Sequence, residues 1–223
     1  MKTPIIIVNF KCYEQATGKK AVDLAKICDS VSKDYNKSVG VSPQFCDIIP
    51  ISKEVDIPVF AQHIDPIEPG SHTGHILPLS VKESGVVGTL INHSERKLPL
   101  EDIGKRVDIA KKYGLVTICC SGDLEESKKI ANFDPDFIAY EPPELIGTGI
   151  PVSKTKPEVV NNTVKEVQKI NPRTKVLCGA GITNGEDVKR AIELGTVGVL
   201  LASGVVKAKN PREVLEDMVK SLS

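Results

Sequence analysis

Three residues of different chemistry, each just beyond a short apolar run, are the chain's best candidates for catalysis. Lys11 comes after Ile5-Ile6-Ile7-Val8, with Asn9 and Phe10 between. His93 comes after Val86–Ile91, with Asn92 between, and Glu141 directly follows Phe137–Tyr140. A carboxylate can take a proton from a carbon beside a carbonyl. An imidazole can serve the oxygens, and an ammonium can steady the negative charge that develops. Any one charged residue after an apolar run is more often a solvated loop residue. A cation, an imidazole and a carboxylate in equivalent places make a proton-transfer set the better reading. Gln62, His63 and Cys120 occupy similar places without an evident role.

Small-residue turns supply a second kind of chemistry. Gly179-Ala180-Gly181 and Ala202-Ser203-Gly204 can expose backbone N–H groups to an anion, and their place near the chain's end points to a phosphate ligand. Glu141 is followed by Pro142-Pro143-Glu144-Leu145-Ile146-Gly147-Thr148-Gly149. Prolines on one side and Gly-Thr-Gly on the other read as two hinges of a short lid, against the plainer alternative of an ordinary turn.

These residues need a scaffold that brings them together. Eight β-branched runs recur: Ile5–Phe10, Ser38–Val41, Val59–His63, Val86–Ile91, Leu115–Cys120, Phe137–Tyr140, Lys175–Cys178 and Val197–Ala202. Several are apolar on both faces, as in a buried parallel sheet. Between them lie helical patterns, such as Ala21, Leu24, Ala25, Cys28 and Val31, or Val160, Val164, Val167 and Ile170, or Leu215, Met218, Val219 and Leu222. Pro157 and Pro211 suit first helical turns, Asn184 suits a cap, and Gly114 and Gly195 suit left-handed helix ends. Eight strand–helix units without a linker predict an α/β fold, a single (β/α)8 barrel over residues 1–223, whose active site lies at the C-terminal strand ends. An open doubly wound sheet is the competing fold, disfavoured because no Gly-x-Gly-x-x-Gly turn follows the first strand. With 223 residues against roughly 250 for the usual barrel, some helices must be short, notably after the second and fifth strands. Cys119-Cys120 is expected in the barrel interior.

Lys plus Arg and Asp plus Glu are 29 each, so no basic excess points to nucleic acid, and no charge block points to a membrane surface. No apolar run approaches the ~20 residues of a membrane span. Six cysteines without a Cys-x-x-Cys pair read as reduced thiols of a cytoplasmic protein.

With those residues in view, the chain resembles the triosephosphate isomerase family. Asn9-Phe10-Lys11, Asn92-His93-Ser94-Glu95-Arg96, Tyr140-Glu141-Pro142 and Ile146-Gly147-Thr148-Gly149 look like its motifs, in order and in the right units. The shortened length is similar to the archaeal branch. The resemblance implies interconversion of dihydroxyacetone phosphate and D-glyceraldehyde 3-phosphate through an enediol. It implies Glu141 as base, His93 as a neutral electrophile before a helical turn, and Lys11 stabilising charge. It further implies substrate binding by Asn9 and Lys11, with phosphate held around Ile146, Gly181, Ala202 and Ser203. No metal or organic cofactor is expected. Glu95 is a candidate partner for Lys11. The segment Gly70-Ser71-His72-Thr73-Gly74 resembles an interface loop, which favours a subunit contact over a metal site for His72 and His75. A homo-oligomer is expected, a tetramer ahead of a dimer. Gly181 and Ala202-Ser203 depart from the longer members' serine and Gly-Gly pair, and Pro143-Glu144-Leu145 replaces their lid tripeptide.

Other phosphate-binding barrels compete. A Schiff-base aldolase needs a lysine deep in the barrel where Glu141 ends its strand, and a metal-dependent epimerase needs several ligands that Lys11 would disturb. A non-catalytic binding barrel would have no use for Lys11, His93 and Glu141 together.

Overall fold

The computed structural model describes residues 2–142 and 157–222. Its strands are β1 Ile5–Asn9, β2 Ser38–Ser42, β3 Phe60–Ala61, β4 Gly88–Ile91, β5 Val116–Ser121, β6 Phe137–Tyr140, β7 Lys175–Cys178 and β8 Gly198–Leu201. They form one sheet in the order β2-β1-β8-β7-β6-β5-β4-β3, paired in parallel throughout. A parallel bridge between Val41 and Val59, with Val41 N donating to Pro58 O at 3.0 Å, joins the two ends. Every strand thus lies beside its sequence neighbours and β8 returns to β1. A doubly wound sheet would reverse its strand order part-way, so the fold is the (β/α)8 barrel.

The helices are α1 Lys19–Tyr35, α2 Phe45–Ser52, α3 Pro78–Glu83, α4 Leu100–Lys112, α5 Leu124–Ala131, α6 Pro157–Ile170, α7 Gly185–Glu193, α8 Ser203–Val206 and α9 Pro211–Lys220. Pro157 and Pro211 open their helices, and Asn184 Oδ1 accepts from Asp187 N at 3.0 Å. Gly114 (φ +64°) and Gly195 (φ +96°) follow α4 and α7 in the left-handed region. The helices after β2 and β5 have eight residues each, as the length required. The helix after β3 is shorter still, at six, with a long 62–77 connection before it.

Strand alternation separates two apolar layers. Ile5, Ile7, Phe60, Leu90, Ile118, Cys120, Phe137, Ala139, Leu177 and Leu200 fill the lumen. Ile6, Val8, Val39, Val41, Ile91, Cys119, Ile138, Val176 and Val199 pack outward against the helices. Both faces are dry, which is why the runs read as continuously apolar. Only Cys120 is therefore interior to the barrel. Cys119, expected there too, points the other way because neighbouring strand residues face opposite sides. Gly198 allows β8 to pair with β1, since a Cβ at its φ of +146° would sit 2.0 Å from Ile5 O.

Candidate active site

Lys11 leaves β1 on a strained turn. Its φ is +49°, a conformation that costs a non-glycine residue on the order of 1 kcal/mol. Two side chains hold it there: Asn9 Oδ1 accepts from Lys11 N at 2.9 Å, and Gln62 Nε2 donates to Lys11 O at 2.9 Å and to Ser42 O at 3.1 Å. The lysine side chain is 11% exposed, and its Nζ lies 2.8 Å from Glu95 Oε1. The turn thus sends an ammonium over the barrel mouth instead of into solvent.

His93 follows β4 through Asn92, another residue with positive φ (+62°). Asn92 is buried. Its Nδ2 donates to Cys120 O (2.9 Å) and Glu126 Oε1 (3.0 Å), while its Oδ1 accepts from Leu98 N (2.9 Å). His93 then precedes a 3-10 turn, Ser94–Arg96, and Glu95 N donates to His93 Nδ1 at 3.2 Å. A backbone N–H can only donate, so Nδ1 is the acceptor and the ring proton sits on Nε2. Burial, then the nearby Lys11 charge, holds the imidazole down to about 4. At neutral pH it is an uncharged ring with a single N–H.

That N–H faces the carboxylate. His93 Nε2 is 3.7 Å from Glu141 Oε2, at the end of β6. Glu141 is 4% exposed, and its Oε2 has no hydrogen-bond partner among the described residues. Burial pushes its carboxyl up to about 7, against the opposing pull of the Cys120 thiol, which hydrogen-bonds it, and of Lys11. The thiol itself is held well above its ordinary range by burial and by Glu141, so it acts as a donor and not as a nucleophile. A buried carboxylate titrating near neutrality with one unsatisfied oxygen is equipped to accept a proton.

One cavity unites these groups with the late turns. Asn9, Lys11, Tyr13, His93 and Glu141 line it together with Gly179, Gly181, Ile182, Thr183, Ala202, Ser203 and Gly204. The turns after β7 and β8 pack closely, for a Cβ on Gly204 would meet Ile182 O at 2.8 Å. In the closed strand order β8 lies across the barrel from β4.

The family profile described as triosephosphate isomerase matches residues 4–222. The chain belongs to the triosephosphate isomerase family. It is 52% identical over 222 residues to "Triosephosphate isomerase" of Methanothermus fervidus, covering 100% of both chains. It is 54% identical to the protein of that name from Methanocaldococcus jannaschii, over 97% of this chain and 99% of the relative. The Methanosarcina barkeri protein of the same name is 50% identical, with 99% of each chain covered. The short length read from the sequence is thus shared by these archaeal relatives.

Asn9, Lys11, His93, Glu141, Gly181, Ala202 and Ser203 all meet in the one cavity. Ile146 and the rest of the Pro143–Gly149 segment read as a lid lie outside the described residues. Glu95, a candidate partner of Lys11 or a solvated helix-start residue by sequence, is paired with it. His63 Nε2 lies 3.0 Å from Asp65 Oδ1, and Asp65 Oδ2 accepts from Ile76 N at 2.8 Å, closing the base of the 65–77 loop. His72 and His75 meet edge to face at that loop's exposed tip. Among the described residues no group of three or more His, Cys, Asp or Glu is placed to share a metal ion.

Three contributions escaped the sequence reading. Gly179, read as a phosphate turn, makes room for the base, because a Cβ there would lie 2.2 Å from Glu141 Cγ. Gln62 stood at a strand end with no role, yet it clamps the Lys11 turn from β3. Glu126 carries no motif, but it binds Asn92 Nδ2, Lys97 Nζ (2.5 Å) and Gly122 N (2.6 Å) and so braces the His93 turn. No spacing announces such contacts, since each joins residues from different units.

Proposed function

We propose that this protein interconverts dihydroxyacetone phosphate and D-glyceraldehyde 3-phosphate, the triose phosphate step shared by glycolysis and gluconeogenesis. The observation that carries the reading is the orphaned Oε2 of Glu141, buried and 3.7 Å from the sole N–H of a neutral His93. Glu141 takes a proton from the substrate carbon next to the carbonyl. His93 donates its Nε2 hydrogen to the carbonyl oxygen, and Lys11 stabilises the charge of the enediolate. His93 then recovers a proton from the hydroxyl on the deprotonated carbon, which becomes the new carbonyl, while Glu141 returns its proton to the former carbonyl carbon, and the exchange of aldehyde and ketone is complete. Asn9 orients Lys11 and the substrate. Backbone groups at Gly181, Ala202 and Ser203, with Ile146, hold the phosphate. These steps use side chains and backbone of this chain alone.

A coupled assay for glyceraldehyde 3-phosphate formation tests this. The wild type should isomerise, and Glu141→Ala should lower kcat by about 10²–10⁴-fold, the usual worth of a positioned base. An inactive wild type would remove the assignment, and an active variant would remove the mechanism.

The same reading places the protein in the cytoplasm, supported by six free thiols, four of them buried, which suit a reducing compartment. No helix among the described residues is long and apolar enough to cross a membrane. It also makes the protein a homo-oligomer, a tetramer ahead of a dimer. Support comes from the looped-out 65–77 segment and from the exposed Ile49 (52%) and Leu100 (39%) beside shortened helices.

A further inference from the structure

Tyr13 belongs to none of the proton-transfer steps, yet it lines the cavity beside Lys11, Ser203 and Gly204. Its backbone is fixed within the Lys11 turn: Tyr13 N donates to Phe10 O (3.3 Å), and Tyr13 O accepts from Ala16 N and Thr17 Oγ1, both at 2.9 Å. Lys207 Nζ sits 4.2 Å from the centroid of its ring, well within the range where an ammonium is held by the ring face. Lys207 comes directly after α8, and its N–H donates to Ser203 O at 3.0 Å. The pair therefore joins the turn that carries Lys11 to the Ala202–Gly204 turn, which also lines the cavity.

Charge gives this contact a purpose. The whole chain has formal net charge zero, so no general field draws an anion toward the barrel. Within the cavity, Lys11 is already paired with Glu95, and Glu141 adds a carboxylate. A phosphate dianion entering there meets no surplus of positive charge from those groups. Lys207 is exposed and has no carboxylate partner among the described residues, and it rests on the aromatic face of a residue that lines the cavity.

We propose that Lys207, seated on Tyr13, is the rim cation that draws and retains the phosphate end of the substrate, with Tyr13 as the residue that positions it. Its action is electrostatic, exerted across the ring without touching the reacting carbons. The substrate named here rests on the isomerase reading, whereas the phosphate selectivity does not.

The test measures KM and kcat for glyceraldehyde 3-phosphate, and separately the dissociation constant of inorganic phosphate by titration calorimetry. Lys207→Met should raise KM and the phosphate constant about 3–10-fold with kcat within about twofold, and the difference should shrink at high ionic strength. Tyr13→Leu should reproduce the loss, and Tyr13→Phe, which keeps the ring, should restore binding. Lys209→Met removes the same charge two residues on, with no ring beneath it, and should match the wild type. The proposal is overturned if Lys207→Met leaves both constants unchanged, if its loss falls on kcat, or if Lys209→Met does the same. Should Tyr13→Leu fail to fold, the exposed Lys207 still decides the matter. A wild type that binds phosphate through Lys207 but does not isomerise would defeat the isomerase reading and leave this site standing.

Discussion

Glu141 is an ordinary glutamate made unusual by what surrounds it. Burial raises its carboxyl to about 7 from an ordinary 4.5, so the free protein should lose base function as pH falls through that value. The profile of kcat/KM should show an ascending limb near pH 7 that belongs to Glu141, and none from His93, which stays neutral down to about 4. The same shift has a cost for stability. A carboxyl whose folded pKa exceeds its unfolded value favours folding fully below about 4.5, and that contribution is lost as pH rises through about 7. Glu141→Gln keeps the group neutral at every pH. It should therefore stabilise the fold at pH 8, by on the order of 3 kcal/mol at most, and hardly at all near pH 5. Thermal unfolding of both proteins at the two pH values checks this, and equal Tm differences at both would refute the burial account.

At the scale of elements, the site depends on what one strand end allows another to do. Glu141 on β6 occupies space that the turn after β7 leaves empty, and Gly179 is the residue that leaves it. Gly179→Ala should drive the carboxylate out of line and lower kcat at least about 100-fold. Its effect on stability should be smaller, about 1–3 kcal/mol, as for other overpacked positions. Activity assays alongside urea unfolding separate the two, and a kcat within threefold of wild type would show that the base does not need this space. The Asn92 and Gln62 contacts follow the same pattern. Asn92 bonds Cys120 O and Leu98 N and so fixes His93 next to it, and Gln62 bonds Lys11 O and Ser42 O and so fixes the Lys11 turn from β3.

For the whole molecule, closure decides where these groups meet. Val41 and Val59 join the sheet ends, so eight separate strand ends face one mouth. The shortened α2, α3 and α5 leave less cover over the barrel than long helices would, and Ile49 on α2 is half exposed. Association of copies would cover such surface. Light scattering should give a mass of four chains, with two as the fallback. A mass equal to one chain would refute both.

The strand positions, the helices α1, α6, α7 and α9, the barrel, and the meeting of Lys11, His93 and Glu141 at its mouth were legible in the sequence. Apolar periodicity marks buried faces, and a polar residue at the end of a parallel strand has one mouth to face. The Asn184 cap and the first-turn Pro157 and Pro211 were legible for a local reason, since helix starts are satisfied within a few residues. The tertiary structure alone decided that Cys120 and not Cys119 lies inside, that Gly179 serves Glu141, that Glu126 braces Asn92, and that Lys207 rests on Tyr13. Those contacts cross between units far apart in the chain. Their energies arise from shape and burial, which exist only once the barrel has closed.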